Sequence, residues 1–317
     1  MKVLITDKMA EEAIDLLKGS GHDVTFDEMD ADKLLLEIPK YDALMVRGRT
    51  KVIEDIVSAG AEGNLKVIGR AGIGVDNVDL ETAAKNNIKV VNAPTGATAS
   101  VAELAIAHML SLSRHITKAD ATMKNGEWAK KQLKGNELYG KTLGLIGCGN
   151  IGKLTAKYAQ MFNMNVIGYD PFISKEDMKK EGIKKEEDLG SIMKNADFIS
   201  LHLPHIPQTH YIVNEEMLSK MKPSAYIINC SRGGTVDEKA LYDALKNGTI
   251  AGAGLDVFEN EPPKDSPLFT FDNVVLTPHI GANTKEGQIR AGTVCAEQII
   301  KALKGEVPDF WVNKKLM

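Results

Sequence analysis

The sequence predicts an α/β protein with two lobes, each built on a parallel sheet. Short apolar runs alternate with amphipathic helical patterns along nearly all of the 317 residues, an order typical of parallel strands joined by helices. The strand-like runs fall into two successive series, and a long helical segment separates them. The length fits about two domains of ordinary size.

The first series of strands occupies the N-terminal third. Helical stretches such as AEEAIDLLKGSG and NVDLETAAKNN lie between strand-like runs that read KVLIT, DVTFD, ALMVR, LKVIGRAG and IKVVNAP. Apolar spacing of three and four then continues from residue 100 to residue 126. This pattern predicts one long helix with Ser100 as its N-cap.

The second series contains the runs TLGLIGC, NVIGYD, DFISLHL, AYIINCS, AGAGLDV and NVVLTPHI. A closing helix is predicted over 284–305. With the two long helices as crossings between lobes, the first lobe is discontinuous and comprises 1–97 and 286–317. The second lobe comprises 98–285, and we expect a cleft between the two.

Composition excludes several classes of protein. Hydrophobic residues make up 43% and charged residues 26%, as in a globular protein, and the net charge of −4 gives no overall attraction to nucleic acid or membrane. The three cysteines lack metal-ligand spacing, so we expect no metal and a reducing, cytoplasmic location. No stretch approaches the ~18 apolar residues of a membrane helix, and the N-terminus does not resemble a signal peptide.

The segment LGLIGCGNIGK, residues 143–153, has the pattern of a dinucleotide-binding loop. Gly147, Gly149 and Gly152 fit G-x-G-x-x-G between a predicted strand and a predicted helix. In such a loop the first glycine permits a tight turn, the second lets a pyrophosphate approach, and the third allows close helix–strand packing. The helix N-terminus would bind the phosphates. The alternative is a plain turn without a ligand.

The next predicted strand, NVIGYD, ends at Asp170, 18 residues after Gly152. A carboxylate there accepts hydrogen bonds from the adenosine ribose and repels a 2′-phosphate. The sequence therefore predicts two Rossmann-like lobes, the second of which binds NAD rather than NADP.

Three polar residues follow later predicted strands: Arg232 in INCSRGGTVDE, Glu261 in LDVFENEPP and His279 in LTPHIGANT. The carboxyl ends of parallel strands share one edge, where ligands of α/β sheets bind. A histidine can take a hydroxyl proton as hydride leaves, an acid can orient its ring, and a guanidinium can grip a carboxylate. Taken singly, each residue could instead have a structural role.

Together these segments resemble the D-isomer-specific 2-hydroxyacid dehydrogenases over nearly the whole chain. The similar motifs are GLIGCGNIG, GYDP, INCSRGGTVDE, AGAGLDVFENEPP and TPHIGANT. The resemblance implies that Arg232, Glu261 and His279 are catalytic and that NAD is the cofactor. The NAD contacts that it implies are Gly147, Gly149, Asn150, Ile151, Gly152, Asp170, Leu203, Cys230, Ser231, Arg232, Asp256, His279, Gly281, Ala282 and Ile73.

The first lobe is similar to family members that act on 3-phospho-D-glycerate, in LMVRGRTKV, LKVIGRAGIGVDNVDL and VNAPTGATASVAELA. Its arginines form a cationic cluster suited to a substrate that has both a carboxylate and a phosphate. Surface ion pairs are the alternative for one or two of them. The substrate-binding residues expected are Arg47, Arg49, Arg70, Gly72, Asn92, Arg232 and His279.

The resemblance also implies a homodimer that pairs through the nucleotide lobes, with the helix at 100–126 involved. Some family members have a further C-terminal domain that binds serine, and the end of this sequence at Met317 leads us to expect none. Lys130 lies where relatives place an arginine that reaches the partner subunit's site.

Other interpretations of the function are compatible with the sequence. Another 2-hydroxyacid dehydrogenase, such as a hydroxypyruvate or glyoxylate reductase or a D-lactate dehydrogenase, has the same motifs. An NAD-sensing binding protein shares the fold, although a complete Arg–Glu–His set favours an enzyme. Cys148 is either a thiolate stabilised by the helix N-terminus or a small apolar filler.

Overall fold

The computed structural model describes all 317 residues, and the chain folds into two compact units. Unit 1 comprises Met1–Thr98 and Ala282–Met317, and unit 2 comprises Ala99–Gly281. Each unit contains one sheet, and all strand pairs are parallel. The predicted α/β class is confirmed. The boundaries between the units lie at 98/99 and 281/282. The sequence predicted them at 97/98 and 285/286.

The sheet of unit 1 has five strands in the order β2-β1-β3-β4-β5. They are β1 (Lys2–Ile5), β2 (Asp23–Phe26), β3 (Ala43–Val46), β4 (Val67–Arg70) and β5 (Lys89–Asn92). The helices are α1 (Glu11–Gly19), α2 (Ala31–Glu37), α3 (Glu54–Glu62) and α4 (Leu80–Lys85), together with the closing helix Lys285–Leu303. In this strand order the direction of winding reverses between β1 and β3, which is where such sheets bind ligands.

Alternating side chains of these strands supply two cores, one on each face of the sheet. Val3 and Ile5 pack on the face covered by α1 and the closing helix, whereas Leu4 packs on the face covered by α2, α3 and α4. Successive residues of a strand point to opposite faces, and both faces are covered. This is why the strands of unit 1 are apolar runs without clear alternation.

The sheet of unit 2 has seven strands in the order β12-β11-β10-β9-β6-β7-β8. They are β6 (Thr142–Ile146), β7 (Asn165–Tyr169), β8 (Lys184–Lys185), β9 (Phe198–Leu201), β10 (Tyr226–Asn229), β11 (Gly252–Leu255) and β12 (Val274–Leu276). The winding reverses between β6 and β9, as in dinucleotide-binding sheets. The sequence missed only the two-residue edge strand β8, which has no apolar run.

The remaining helices are α5 (Thr98–Arg114), α6 (Ile116–Lys124), α7 (Asn150–Met161), α8 (Lys175–Lys180), α9 (Leu189–Asn195), α10 (Glu215–Ser219), α11 (Glu238–Lys246) and α12, the closing helix Lys285–Leu303. Short 3-10 helices occupy Ile38–Lys40, Lys130–Gln132 and Pro267–Thr270. No helix combines the length and the apolar character that a bilayer crossing requires.

The single helix predicted over 100–126 is wrong, because the segment forms α5 and α6 with a break at His115. His115 has φ +51°, a left-handed conformation that ends α5. The carbonyl oxygen of Ser113, which a continuous helix would satisfy internally, instead accepts the N–H of Asn136 at 2.8 Å. Ser100 is also not the N-cap, since it is buried within the first turn of α5.

Candidate active site

The geometry of the glycine loop between β6 and α7 is that of a ligand-binding loop rather than of a plain turn. Gly147 has φ +92°, which side chains rarely adopt, and makes the turn. A Cβ at Gly152 would collide with the carbonyl oxygen of Gly147, so this glycine lets the helix pack on the strand. A Cβ at Gly149 would meet no atom within 4 Å, so its backbone borders open space.

The N-terminus of α7 is open to a ligand in the same place. Gly149 is the N-cap, no side chain caps the helix, and Gly149 and Asn150 are both exposed. The first N–H groups of a helix have no internal acceptor and carry partial positive charge, which suits a phosphate. The loop therefore fits the pyrophosphate of a dinucleotide, with Asn150 and Ile151 as the first helical residues beside it.

Asp170 follows β7 and contacts the glycine loop. Its Oδ2 accepts the N–H of Cys148 at 2.9 Å, and its Oδ1 accepts the N–H of Phe172 at 2.9 Å. The carboxylate is partly exposed, as contact with a ribose requires. Cys148 is buried against Gly168 of β7, and burial, more than the nearby charge of Asp170, raises the pKa of its thiol to about 12. The structure thus favours the apolar filler for Cys148.

Arg232 lies in a loop that the buried Asn229 shapes at the end of β10. The Asn229 side chain accepts the N–H of Ser231 at 3.0 Å and donates to the carbonyl oxygen of Arg232 at 2.9 Å. A Cβ at Gly233 would collide with the backbone of Phe258, so this loop lies directly against the segment that follows β11. Close approach of two loops thus explains Gly233, whereas Gly234 has φ +74° and lies against the His205 ring.

His279 and Glu261 are in direct contact. His279 Nδ1 lies 2.6 Å from Glu261 Oε2, and Glu261 Oε1 accepts the N–H of Phe258 at 3.1 Å. Burial alone would raise the pKa of Glu261, but these hydrogen bonds and the charges of His279 and Arg232 lower it. Glu261 is therefore a carboxylate, which fixes the proton of His279 on Nδ1 and leaves Nε2 for a substrate.

The three residues that the sequence singled out for catalysis thus come together at one edge of unit 2. Nearly half of the His279 side chain, 49%, and 35% of the Glu261 side chain are exposed. An imidazole, a carboxylate and a guanidinium whose charge acts on that carboxylate can exchange a proton and bind an anion.

Asp256, expected to contact NAD, has its carboxylate engaged with the His279 loop. It is 1% exposed. Its Oδ1 accepts the Thr277 hydroxyl at 2.6 Å and the N–H of Ile280 at 2.8 Å, and its Oδ2 accepts the N–H of Gly281 at 2.8 Å. Asp256 therefore shapes the loop that presents His279.

The other residues expected to contact NAD are less specific. Cys230 and Ser231 are buried after β10, and burial raises the pKa of the Cys230 thiol. Leu203 follows β9 and is partly exposed. Ile73 and Ala282 belong to unit 1.

In unit 1, Asp7 organises the loop after β3. Asp7 is buried, and its Oδ2 accepts the N–H of Arg47 at 2.6 Å. Arg49 Nε lies 3.2 Å from Asp7 Oδ1, and the same guanidinium donates to the carbonyl oxygen of Thr6. Arg49, expected to bind phosphate, therefore braces this loop. Arg47 has a partly exposed side chain that pairs with no carboxylate.

The other unit 1 residues expected to bind substrate lie at the ends of β4 and β5. The guanidinium of Arg70 lies across Gly72, where a Cβ would overlap it. The Asn92 amide donates to the carbonyl oxygen of Ile73 at 2.6 Å. Gly72 and Asn92 thus shape the loop beside Arg70.

Sequence reasoning missed the residues that hold these loops, among them Asp7, Asn229 and Thr277. Asp7 lies two residues after β1 and Thr277 directly follows β12, and this position was the available signal. No cluster of three or more histidine, cysteine, aspartate or glutamate side chains could hold a metal ion.

Comparison with known proteins identifies the family. The model of the D-isomer specific 2-hydroxyacid dehydrogenase NAD-binding domain matches residues 106–281. D-3-phosphoglycerate dehydrogenase of Methanocaldococcus jannaschii is 50% identical over 313 residues, which is 99% of this chain and 59% of that protein. The chain thus spans about three fifths of that curated relative's length.

Two further relatives match over almost their full length. Hydroxypyruvate reductase of Thermotoga maritima is 48% identical over 306 residues, 95% of this chain and 98% of that protein. The structure of D-lactate dehydrogenase from Aquifex aeolicus, complexed with NAD and lactic acid, has a TM-score of 0.86 at 29% identity and covers 99% of each chain. The chain therefore belongs to the D-isomer-specific 2-hydroxyacid dehydrogenase family, and NAD is its cofactor.

Proposed function

We propose that the protein catalyses the reversible oxidation of 3-phospho-D-glycerate to 3-phosphohydroxypyruvate with NAD, the first step of L-serine biosynthesis. The observation that supports the chemistry best is the 2.6 Å contact between His279 and Glu261 beside Arg232. The names of relatives such as that of M. jannaschii support the substrate.

His279 acts as the general base in oxidation. NAD, when bound, supplies the acceptor for the hydride that leaves C2 of the substrate. The hydroxyl proton moves to His279 Nε2, since Nδ1 is held by Glu261, and the C–O bond becomes a carbonyl. Glu261 remains a carboxylate and balances the charge of the imidazolium. In reduction, Nε2 returns the proton.

Arg232 binds the α-carboxylate of the substrate. Two parallel hydrogen bonds from a guanidinium fix a carboxylate in one orientation, and the positive charge polarises the adjacent carbonyl. Because Arg232 acts on any 2-hydroxy acid, it does not distinguish the phosphorylated substrate from its neighbours.

Arg47 and Arg70 bind the 3-phosphate. Both belong to unit 1 and lie at carboxyl ends of its strands, where α/β sheets bind ligands. Arg49, which we also expected at the phosphate, is engaged with Asp7 and contributes by holding the loop of Arg47.

A hydroxypyruvate reductase is the second candidate. The T. maritima relative of that name matches over 98% of its own length, which the longer phosphoglycerate dehydrogenase does not. A D-lactate dehydrogenase has weaker support at 29% identity. An NAD-sensing binding protein has the least support, because a protein that only binds NAD needs no proton-transfer pair such as His279 and Glu261.

The candidates differ in whether the arginines of unit 1 bind a phosphate. A charge-assisted hydrogen bond contributes roughly 1.5–3 kcal/mol, or about 10- to 150-fold in affinity. Arg47→Gln or Arg70→Gln should raise the KM for 3-phosphohydroxypyruvate by that order and leave hydroxypyruvate nearly unaffected. Lys18→Gln, which removes an exposed charge from α1 of the same unit, is the matched control. Equal losses on both substrates would reduce the assignment to a dehydrogenase of unspecified 2-hydroxy acids.

A further inference from the structure

His279 has a backbone conformation that must be held in place. Its φ is +51°, in the left-handed region that non-glycine residues rarely adopt. Asp256 supplies this restraint through both its backbone carbonyl and its side-chain carboxylate. Its backbone carbonyl accepts the N–H of His279 at 2.8 Å, and its carboxylate accepts the N–H groups of Ile280 and Gly281, each at 2.8 Å.

Asp256 is in turn held by a buried side-chain relay. The Thr277 hydroxyl donates to Asp256 Oδ1 at 2.6 Å, and His108 Nε2 lies 3.1 Å from the same hydroxyl oxygen. A hydroxyl has one proton to donate, and the Thr277 hydroxyl donates it in the hydrogen bond to Asp256. A hydrogen bond from His108 Nε2–H to the hydroxyl oxygen completes the relay, and it requires the tautomer that is protonated on Nε2.

His108 lies on α5, far along the chain from the catalytic motifs, and is 2% exposed. Burial lowers its pKa, so the ring is neutral. A Cβ at Gly254 of β11 would come within 2.7 Å of His108 Nδ1, so the absence of a side chain there makes room for the imidazole. An aliphatic residue would fill this space but could not donate to Thr277.

We propose that His108 is a positioning residue for the dehydrogenase reaction, acting through Thr277 and Asp256 on the backbone of His279. The inference rests on the proposed function, because positioning matters only where His279 transfers a proton. It assigns a role in activity to a buried residue of α5 that lies outside the Arg232, Glu261 and His279 set. Loss of the donor lets the loop relax and moves the imidazole away from the reacting hydroxyl.

The test uses variants that remove or retain the donor. His108→Leu and Thr277→Val break the relay, whereas His108→Gln retains an N–H donor. Ser113→Ala is the matched control, since Ser113 is buried on the same helix and donates to the Met109 carbonyl at 2.6 Å. We would measure kcat, the KM for NAD, and the primary deuterium isotope effect with 2-deuterated substrate. Nitrogen NMR of labelled histidines would report the His279 ring without turnover.

We expect His108→Leu and Thr277→Val to lower kcat by about tenfold to a hundredfold, because small misplacements of reacting groups cost that much. In these two variants the isotope effect should rise and the His279 ring signals should shift, while the KM for NAD should stay unchanged. His108→Gln should retain most of the native rate. Unchanged kcat and ring signals in Thr277→Val would overturn the proposal, as would equal losses in Ser113→Ala. A native protein without turnover would instead refute the proposed function. The NMR comparison would then still show whether the relay positions the His279 ring.

Discussion

At the scale of single residues, the contact between His279 and Glu261 sets the protonation chemistry of the site. Hydrogen bonds and neighbouring positive charges lower the pKa of Glu261 against the opposing effect of burial. A carboxyl with a lowered pKa stays charged as pH falls through the ordinary range of glutamate. The pair with His279 is lost only at still lower pH.

This gives a pH prediction for Glu261→Gln. The amide is neutral, so the imidazolium form of His279 loses its counter-charge, and ketone reduction should fall off at lower pH than in the native enzyme. Oxidation, which needs the neutral ring, should extend further toward acid. Profiles of kcat/KM against pH in both directions check this, with Glu259→Gln in the same loop as control. Coincident native and variant profiles would contradict the role of Glu261.

The sequence predicted the residues whose chemistry is specific and missed those that only hold backbone. Arg232, Glu261 and His279 each follow a strand and have distinctive functional groups. Asn229 and Thr277 act through amide and hydroxyl contacts with neighbouring loops. Such contacts depend on three-dimensional proximity, which spacing along one chain does not encode. The ion pair of Arg49 was not predictable for the same reason, since its partner Asp7 is 42 positions earlier, and its role at a phosphate stays a prediction.

At the scale of elements, the glycine loop provides a paired test of ligand binding against folding. Gly152→Ala should destabilise the protein by roughly 1–3 kcal/mol, because the methyl group collides with the Gly147 carbonyl oxygen. Gly149→Ala should leave the melting temperature nearly unchanged, since its Cβ meets open space, but should weaken NAD binding. Thermal unfolding and NAD titration of both variants check this. Undiminished NAD affinity in Gly149→Ala would mean that the cofactor does not approach that backbone.

Every strand predicted from an apolar run is present, because parallel strands covered on both faces are continuously apolar. The break between α5 and α6 was not predictable from periodicity. Apolar spacing continues across His115, and the break depends on the Ser113 carbonyl bonding to a loop 23 residues later.

At the scale of the whole molecule, the homodimer remains a prediction, and α6 is the surface that supports it. No residue of α6 is buried in the monomer, and Ile116 and Met123 are 51% and 55% exposed. They line a shallow groove together with Leu110 of α5 and Ala119 of α6. Arg114 and Asp120 also line this groove, and scattered exposed apolar residues are common on protein surfaces, so the interface rests on the family resemblance.

Met123→Glu should shift the protein from dimer to monomer, because a carboxylate buried without a partner opposes association. Sedimentation velocity over a range of concentrations measures this. Lys239→Glu, which reverses an exposed charge on α11 of the same unit, is the control, since its ion pair with Asp243 is at the surface and contributes little. A native protein that is monomeric at all concentrations would contradict the prediction.

We propose that His279 transfers the substrate proton in NAD-linked oxidation of a D-2-hydroxy acid, with 3-phospho-D-glycerate preferred. NADH formation by native protein and by His279→Ala, over a panel of D-2-hydroxy acids with and without a 3-phosphate, tests it most directly. We predict the highest kcat/KM for 3-phospho-D-glycerate, and in the variant unchanged NAD binding with a rate about 10²–10⁴-fold lower. Oxidation of no member of the panel, or equal rates in native protein and variant, would contradict the account.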